Sequence, residues 1–423
     1  MAELKKSLGV TRGTAMMLNI VLGAGLLTLP GLAVQEVGSS ATLIWIACAV
    51  AAAPLLWVFA ILGRRYPDAG GIASIMGHAF GKSGRICATL LFLGAVSVGL
   101  PAVALTGGHY VAATFGGPAA VYAGALIVAA LGVNFLSAEM AGRVNTFIAS
   151  LVLVFILGLA IVGYLAVQPA FDLSAASTPS ADTDLRRLGM VFMMVFFAFT
   201  GWEVSANLGG EFRNPKRDVP RAMAFSFFLA VGLYLVLALV VAKAGALGAG
   251  PAPFAQIFGQ SFGPAGRITI AALAVLLIFA NLSAAIWAVS RMVYSAARDG
   301  LLPAPIAQIR NDVPLNAVMV TVVVLLSVVG LVGAGILDMS HLLAAAGQNF
   351  LLLYTGAAAS LLRLERRTAY RLLSLGCLAL VCLLFIGRGG QGLLYPVLLI
   401  ALGLAISFLQ KGDAALRNQS PAE

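Results

Sequence analysis

Two short stretches place polar and flexible residues where an apolar chain rarely tolerates them. Asn19–Pro30 reads NIVLGAGLLTLP, with Gly23, Ala24 and Gly25 in the middle of a run long enough to cross a bilayer. Val191–Phe212 reads VFMMVFFAFTGWEVSANLGGEF, with Thr200 and Gly201 near its centre and Trp202 and Glu203 directly after. Hydrocarbon offers no water to a freed N–H or C=O, so a helix can be interrupted there only against neighbouring helices or a polar cavity. Close packing through small residues is the alternative for the first stretch taken alone. Taken as a pair, the stretches suit another chemistry. Amides freed around Gly23–Gly25, at the positive end of the following half-helix, can receive a carboxylate. Carbonyls freed near Phe199 and Thr200 can receive an ammonium. A molecule with both groups is a zwitterion.

The surroundings define the rest of that ligand. The apolar run 86–109 offers Ser97, Pro101, Thr106 and His109, and the run 268–290 offers Asn281, Ser283 and Trp287. With so little charge nearby, an apolar side chain fits better than a cationic or acidic one. Phe196, Phe199 and Trp202 either line or gate this pocket or face lipid. Glu203 is costly at such depth and is by default a functional candidate, with pairing to another helix as its alternative. Burial raises a carboxylate pKa and allows protonation near neutral pH, which makes Glu203 the first candidate proton carrier. His109 is the second, against an interfacial packing role; His78 and His341 rank below it, and Glu139 reads as structural.

These residues need a membrane scaffold. The chain has 423 residues, 61% hydrophobic and 10% charged, whereas soluble domains carry about 25% charged residues. Twelve candidate spans follow: 13–36, 41–62, 86–109, 119–137, 144–168, 188–210, 222–244, 268–290, 316–335, 341–361, 370–386 and 391–409, each near the length a crossing helix needs. If the amino terminus is inside, all but five of the 26 basic residues fall inside. The exceptions are Arg186, Arg187, Lys243, Arg267 and Arg388. That asymmetry places both termini in the cytoplasm and supports an even span count. The basic residues form no nucleic-acid patch or motif. No metal spacing, cofactor motif, ATP-binding loop or set of catalytic groups is visible, so enzyme and primary-pump readings fall away. Cys48, Cys87, Cys377 and Cys382 lie in apolar runs and read as packing residues. No cleavable signal peptide is apparent. Oligomeric state is not legible.

Span parity organises the whole. An interrupted span one opens a set of five, and an interrupted span six opens the next. Five is odd, so the second set is inverted relative to the first. Inverted repeats with discontinuous first helices surround a central site that opens alternately to either side. The units are a first repeat over 13–168, a second over 188–361 and two added helices over 370–409, within one transporter domain covering 1–423. Residue-level similarity between the halves is weak, so this division rests on parity and the two interruptions. Inward loops carry candidate gating pairs: Arg64 or Arg65 with Asp68, Arg213 or Arg217 with Asp218, and Arg298 with Asp299. The outward connection Leu247–Gly266 sets Phe254, Ile257, Phe258 and Phe262 among prolines and predicts a short helix across the outer face. The other outward segment, Gln168–Asp184, reads as a solvated loop.

At this point the chain resembles the amino acid–polyamine–organocation transporter superfamily. The matching pieces are Gly23-Ala24-Gly25, Phe199-Thr200-Gly201-Trp202-Glu203, Asn214-Pro215-Lys216-Arg217 with Pro220-Arg221, and Ser290-Arg291 through Ala297-Arg298-Asp299-Gly300 with Pro303. The opening KKSLGVTRG and the stretch Ile61–Gly71 are similar to bacterial exporters of methionine and branched-chain amino acids. The resemblance implies an all-α polytopic fold of 12 transmembrane helices, two inverted five-helix repeats and two carboxy-terminal helices. It implies a substrate carboxylate at Gly23, Ala24 and Gly25, an amine at span-one and span-six carbonyls including Phe199, Thr200 and Gly201, and an aromatic gate at Trp202. It further implies proton-driven antiport of small apolar L-amino acids across the bacterial inner membrane. One departure bears on coupling: some proton-coupled relatives carry a lysine in span five, and 144–168 has none. Ser283 suits either a sodium site or ordinary packing.

Overall fold

The computed structural model describes residues 9–23, 25–66, 71–133, 158–159, 161, 163, 184–202, 212–309, 313–387 and 392–417. They form α1 Val10–Val21, α2 Gly25–Val37, α3 Ala41–Arg65, α4 Gly71–Phe115, α5 Ala119–Val133, α6 Leu185–Phe196, α7 Pro215–Ala244, α8 Pro253–Arg298, α9 Leu315–Gly333, α10 Met339–Leu364, α11 Thr368–Gly387 and α12 Leu394–Arg417. Among the described residues there is no β-strand, and seven helical stretches are long and apolar enough to cross a bilayer. Ala24, Glu139, Asp68, Glu203 and most of 144–168 lie outside the described residues, as does nearly all of the loop Gln168–Asp184.

Helix starts follow local chemistry. The Asp338 carboxylate accepts the N–H groups of Ser340 (2.8 Å) and His341 (3.2 Å) ahead of α10, and Asp184 accepts that of Arg186 ahead of α6. Each satisfies donors that a first turn leaves open. Pro215 opens α7 at a position where a missing N–H costs nothing.

The helices pack as a bundle, with α4 against α5, α8, α10 and α12, and α7 against α1 and α3. Lipid tails are as apolar as leucine, so helix association depends on close fit. Gly347 of α10 accordingly lies directly on the Met193 carbonyl of α6, and a Cβ on Gly403 of α12 would stand 3.2 Å from Cys87 Cα of α4. Cys48, Cys87 and Cys377 are buried free thiols, as a packing role requires, whereas Cys382 is exposed.

Both long helices bend at a glycine: Gly81 in α4 has φ 70° and ψ −157°, and Gly263 in α8 has φ 64° and ψ −154°. Only glycine enters that region cheaply. The flanking residues also match, Phe80-Gly81-Lys82-Ser83-Gly84-Arg85-Ile86 against Phe262-Gly263-Pro264-Ala265-Gly266-Arg267-Ile268. Arg85 lies across Gly77 and Arg267 across Gly259, while Cβ atoms on Gly84 and Gly266 would meet Phe80 and Phe262 at 2.7 and 2.8 Å. The same elbow is therefore built twice.

The arm of α8 ahead of Gly263 is the short helix expected within 247–266. It buries Phe254, Ile257 and Phe258 and leaves Phe262 exposed. It is tied to α2, since Gly250 N–H donates to the Gly31 carbonyl (3.1 Å) and the Thr28 hydroxyl to the Pro251 carbonyl (2.6 Å).

Ion pairing departs from the loop-local pattern. Arg65 pairs with Glu365, beyond α10, so the contact joins distant elements. Among the described residues neither Arg213 nor Arg217 pairs with Asp218, and Arg298 does not pair with Asp299. At the opposite end Arg187, at the start of α6, pairs with Glu36 near the end of α2 at 3.2 Å.

Candidate functional site

Span one is interrupted where its small residues predict. α1 stops at Val21; Leu22 N–H returns to the Leu18 carbonyl (2.7 Å) and Gly23 N–H to the Val21 carbonyl (2.8 Å). Helix resumes at Gly25, with Leu26 N–H on the Gly23 carbonyl at 3.2 Å. Span six is interrupted as well. α6 tightens into a 3-10 turn over Phe197–Phe199, then Thr200 is extended (φ −97°, ψ 169°) and Gly201 takes φ 106°. A side chain at that φ would strain the backbone, so the break is written into Gly201. The Thr200 hydroxyl donates to the Phe197 carbonyl at 2.7 Å and stabilises the turn that ends the helix.

The two interruptions meet. A Cβ on Gly25 would lie 3.6 Å from Ala198 Cα, and one on Gly23 would lie 3.2 Å from Asn281 Nδ2 of α8. Gly23, Gly25, Phe199, Thr200 and Asn281 are thus brought together. Tyr234 of α7 joins them, although nothing in the sequence singled it out. Its fully buried hydroxyl lies 2.9 Å from the Val21 carbonyl and 2.8 Å from the Ala198 carbonyl, one from each interruption. Its ring packs with Trp45 (centroids 5.6 Å apart) and Phe199 (5.3 Å), and Trp45 is 5.9 Å from Phe199. A signal existed: a tyrosine inside the apolar run of span seven needs a partner for its hydroxyl.

Other expected residues fall nearby or elsewhere. Trp202 is 2% exposed and stacks edge-on to Phe227 at 6.0 Å. Phe196 is buried between Phe192 and Tyr354. The Ser283 hydroxyl donates to the Phe279 carbonyl of its own helix at 2.7 Å. Trp287 is 39% exposed beneath the Arg291 guanidinium, 3.6 Å from its ring centre, and is not joined to the interruptions. From α4, one residue past span three, Tyr110 reaches α2, beside the half-buried His109. The Tyr110 hydroxyl donates to the Leu27 carbonyl at 2.9 Å.

The chemistry of the junction follows from its donor count. A phenol has one proton, and Tyr234 faces two carbonyls. Val21 also accepts Gly23 N–H, and the Ala198 carbonyl accepts from Tyr234. An ammonium brings three N–H groups and would satisfy both oxygens. Aromatic rings around the junction exclude water and strengthen that interaction.

Comparison with known proteins places this arrangement. The family model described as "Amino acid permease" matches residues 8–413. The chain belongs to the amino acid permease family. This permease is 29% identical over 411 residues, 95% of each chain, to the uncharacterized amino acid permease YecA of Bacillus subtilis. It is 33% identical over 304 residues, covering 70% of this chain and 72% of the relative, to the L-methionine/branched-chain amino acid exporter YjeH of Escherichia coli. At 26% over 329 residues, 75% of this chain and 73% of the relative, it is similar to the cadaverine/lysine antiporter of Escherichia coli. The family is one of transporters rather than enzymes, and its apolar helices make this permease a multi-pass membrane protein.

Proposed function

We propose that this permease exports small apolar L-amino acids (methionine, leucine, isoleucine and valine) across the bacterial plasma membrane in exchange for protons. The observation that carries the reading is the Tyr234 hydroxyl held between a carbonyl of each interruption, 2.9 and 2.8 Å away. A substrate ammonium takes over those acceptors and its carboxylate takes the start of α2 at Ala24 and Gly25, next to Gly23, whose own N–H is held by the Val21 carbonyl. Phe199, Thr200 and Gly201 complete the amine side, Phe196 and Trp202 gate the site, and Asn281 and Ser283 lie on the side-chain approach. Trp45 and Phe199 favour an apolar side chain, and the Escherichia coli exporter at 33% identity points to the same class. Twelve spans in two inverted repeats, 13–168 and 188–361, with 370–409 added and both termini cytoplasmic, form the scaffold. The twin elbows at Gly81 and Gly263 support that division. Glu203 carries the coupled proton, with His109 as second candidate.

A second reading, import or amino-acid exchange on the same scaffold, is favoured by the similarity to the cadaverine/lysine antiporter. Proteoliposomes preloaded with labelled methionine or leucine, without sodium, separate the two. Efflux stimulated by an inward proton gradient and inhibited by valine, but not by arginine or glutamate, is the expected result. Flux that needs amino acid on both sides and ignores the gradient assigns an exchanger instead.

A further inference from the structure

A cavity of about 770 Å³ opens where the elbow of α4 meets the last turns of α8 and the end of α12. Its lining includes Ser74, Lys82, Arg85, Ser295, Asp299 and Gln410. No residue of α1, α2 or the 197–202 turn contributes, so it is separate from the substrate site. Lys82 and Arg85 are exposed, and among the described residues neither forms an ion pair, although Asp299 shares the lining. Gln410 donates through Nε2 to the Gly300 carbonyl at 3.2 Å, while its Oε1 is buried without a partner. The cavity therefore offers two cations to an anion, with the Asp299 carboxylate beside them as an acceptor for a hydroxyl group.

Its walls are fixed. Ser83 and Ser407 hydroxyls lie 2.7 Å apart and pin α12 to the elbow. Around the rest of its circumference α12 exposes the apolar side chains of Leu404, Phe408 and Leu409. A cationic polar cavity at the end of a helix with exposed apolar side chains matches an amphiphile, with its headgroup in the cavity and its chains along α12. A free phosphate would have no use for those side chains.

The twin elbow tells which cation belongs to the fold and which does not. Arg85 has Arg267 as its counterpart, packed over a glycine in the same way, so it is part of how the elbow is built. Lys82 has Pro264 in its place. The elbow does not require a lysine there.

We propose that this cavity binds the phosphodiester headgroup of an anionic glycerophospholipid, with Lys82 and Arg85 on the phosphate and Asp299 accepting a headgroup hydroxyl. The test uses the full-length permease in neutral detergent, titrated with phosphatidylglycerol, phosphatidylcholine or inorganic phosphate at matched ionic strength, and reads the thermal unfolding midpoint. Phosphatidylglycerol is expected to raise the midpoint at lower concentration than phosphatidylcholine. Lys82→Gln should need about fivefold more of it for the half-maximal shift, the effect of one cation near a lipid surface, while Lys82→Arg keeps the wild-type value. Lys216→Gln, the same charge change outside the cavity, should also match wild type. The proposal is overturned if Lys82→Gln titrates like wild type, or if Lys216→Gln loses as much, which would indicate general surface charge. It is overturned too if inorganic phosphate reproduces the shift, which would make this a free-phosphate site.

Discussion

Replacing Tyr234 by phenylalanine removes one oxygen from the junction and leaves the ring contacts with Trp45 and Phe199 in place. The Ala198 carbonyl then loses the hydroxyl 2.8 Å away, and the Val21 carbonyl keeps Gly23 N–H. A buried acceptor left unpaired costs about 1–3 kcal/mol, more than the ~1 kcal/mol net worth of a typical hydrogen bond. The two interruptions should therefore hold together about 5- to 150-fold less well without substrate. In the proposed binding mode the substrate ammonium supplies donors to the same carbonyls, which changes the comparison. The assay is thermal unfolding of wild type and Tyr234→Phe in mild detergent, with and without saturating methionine. The variant should melt earlier when empty, and methionine should narrow the gap. A variant that melts with wild type, or a gap of constant size, would refute a shared role of the hydroxyl and the ammonium.

Three further outcomes follow from the same geometry. Gly25→Leu pushes into Leu29, 3.0 Å from the new Cβ, and toward Ala198; overpacking of about 1–3 kcal/mol should weaken methionine binding well beyond any fall in abundance, checked by binding per folded protein. Gly201→Ala must take φ 106° with a side chain, at a cost of about 1–3 kcal/mol, and should slow transport with normal membrane insertion; an unchanged rate would mean the turn is not needed in that form. Glu203→Gln cannot exchange a proton, so amino-acid exchange should persist while stimulation by a proton gradient disappears; a wild-type pH profile would remove Glu203 as the carrier.

The interruptions were readable because they depend on local chemistry: Gly23 and Gly25 in one apolar run, and Thr200 with Gly201 in another, are poor at continuing a helix anywhere. The outer arm was readable for a similar reason, from apolar spacing around Pro251, Pro253 and Pro264. What converges on the junction was not. Tyr234, Trp45 and Tyr110 sit on helices that are apolar all round, so no amphipathic phase tells the lipid-facing side from the packed side. His109 stood out as titratable, yet the neighbouring Tyr110 makes the contact with α2. Arg65 illustrates the same limit, since its partner Glu365 lies 300 residues away in sequence. The paired elbows are a different case. The residues Phe-Gly, then Gly-Arg-Ile, occur at equal spacing in both, but one cation, Lys82, replaces a proline, and short matches acquire meaning only once both prove to be bends.

The central claim is that one small molecule presents its ammonium to the carbonyls of both interruptions and its carboxylate to the start of α2. Equilibrium binding of methionine, methionine methyl ester and N-acetylmethionine to the purified permease tests it most directly. The ester removes the carboxylate charge and the acetyl group removes the ammonium, each worth about 1.5–3 kcal/mol in charge-assisted hydrogen bonds. Each analogue is therefore expected to bind roughly 10- to 150-fold more weakly than methionine. If either analogue binds as tightly as methionine, the junction does not hold that end of the substrate and the account fails.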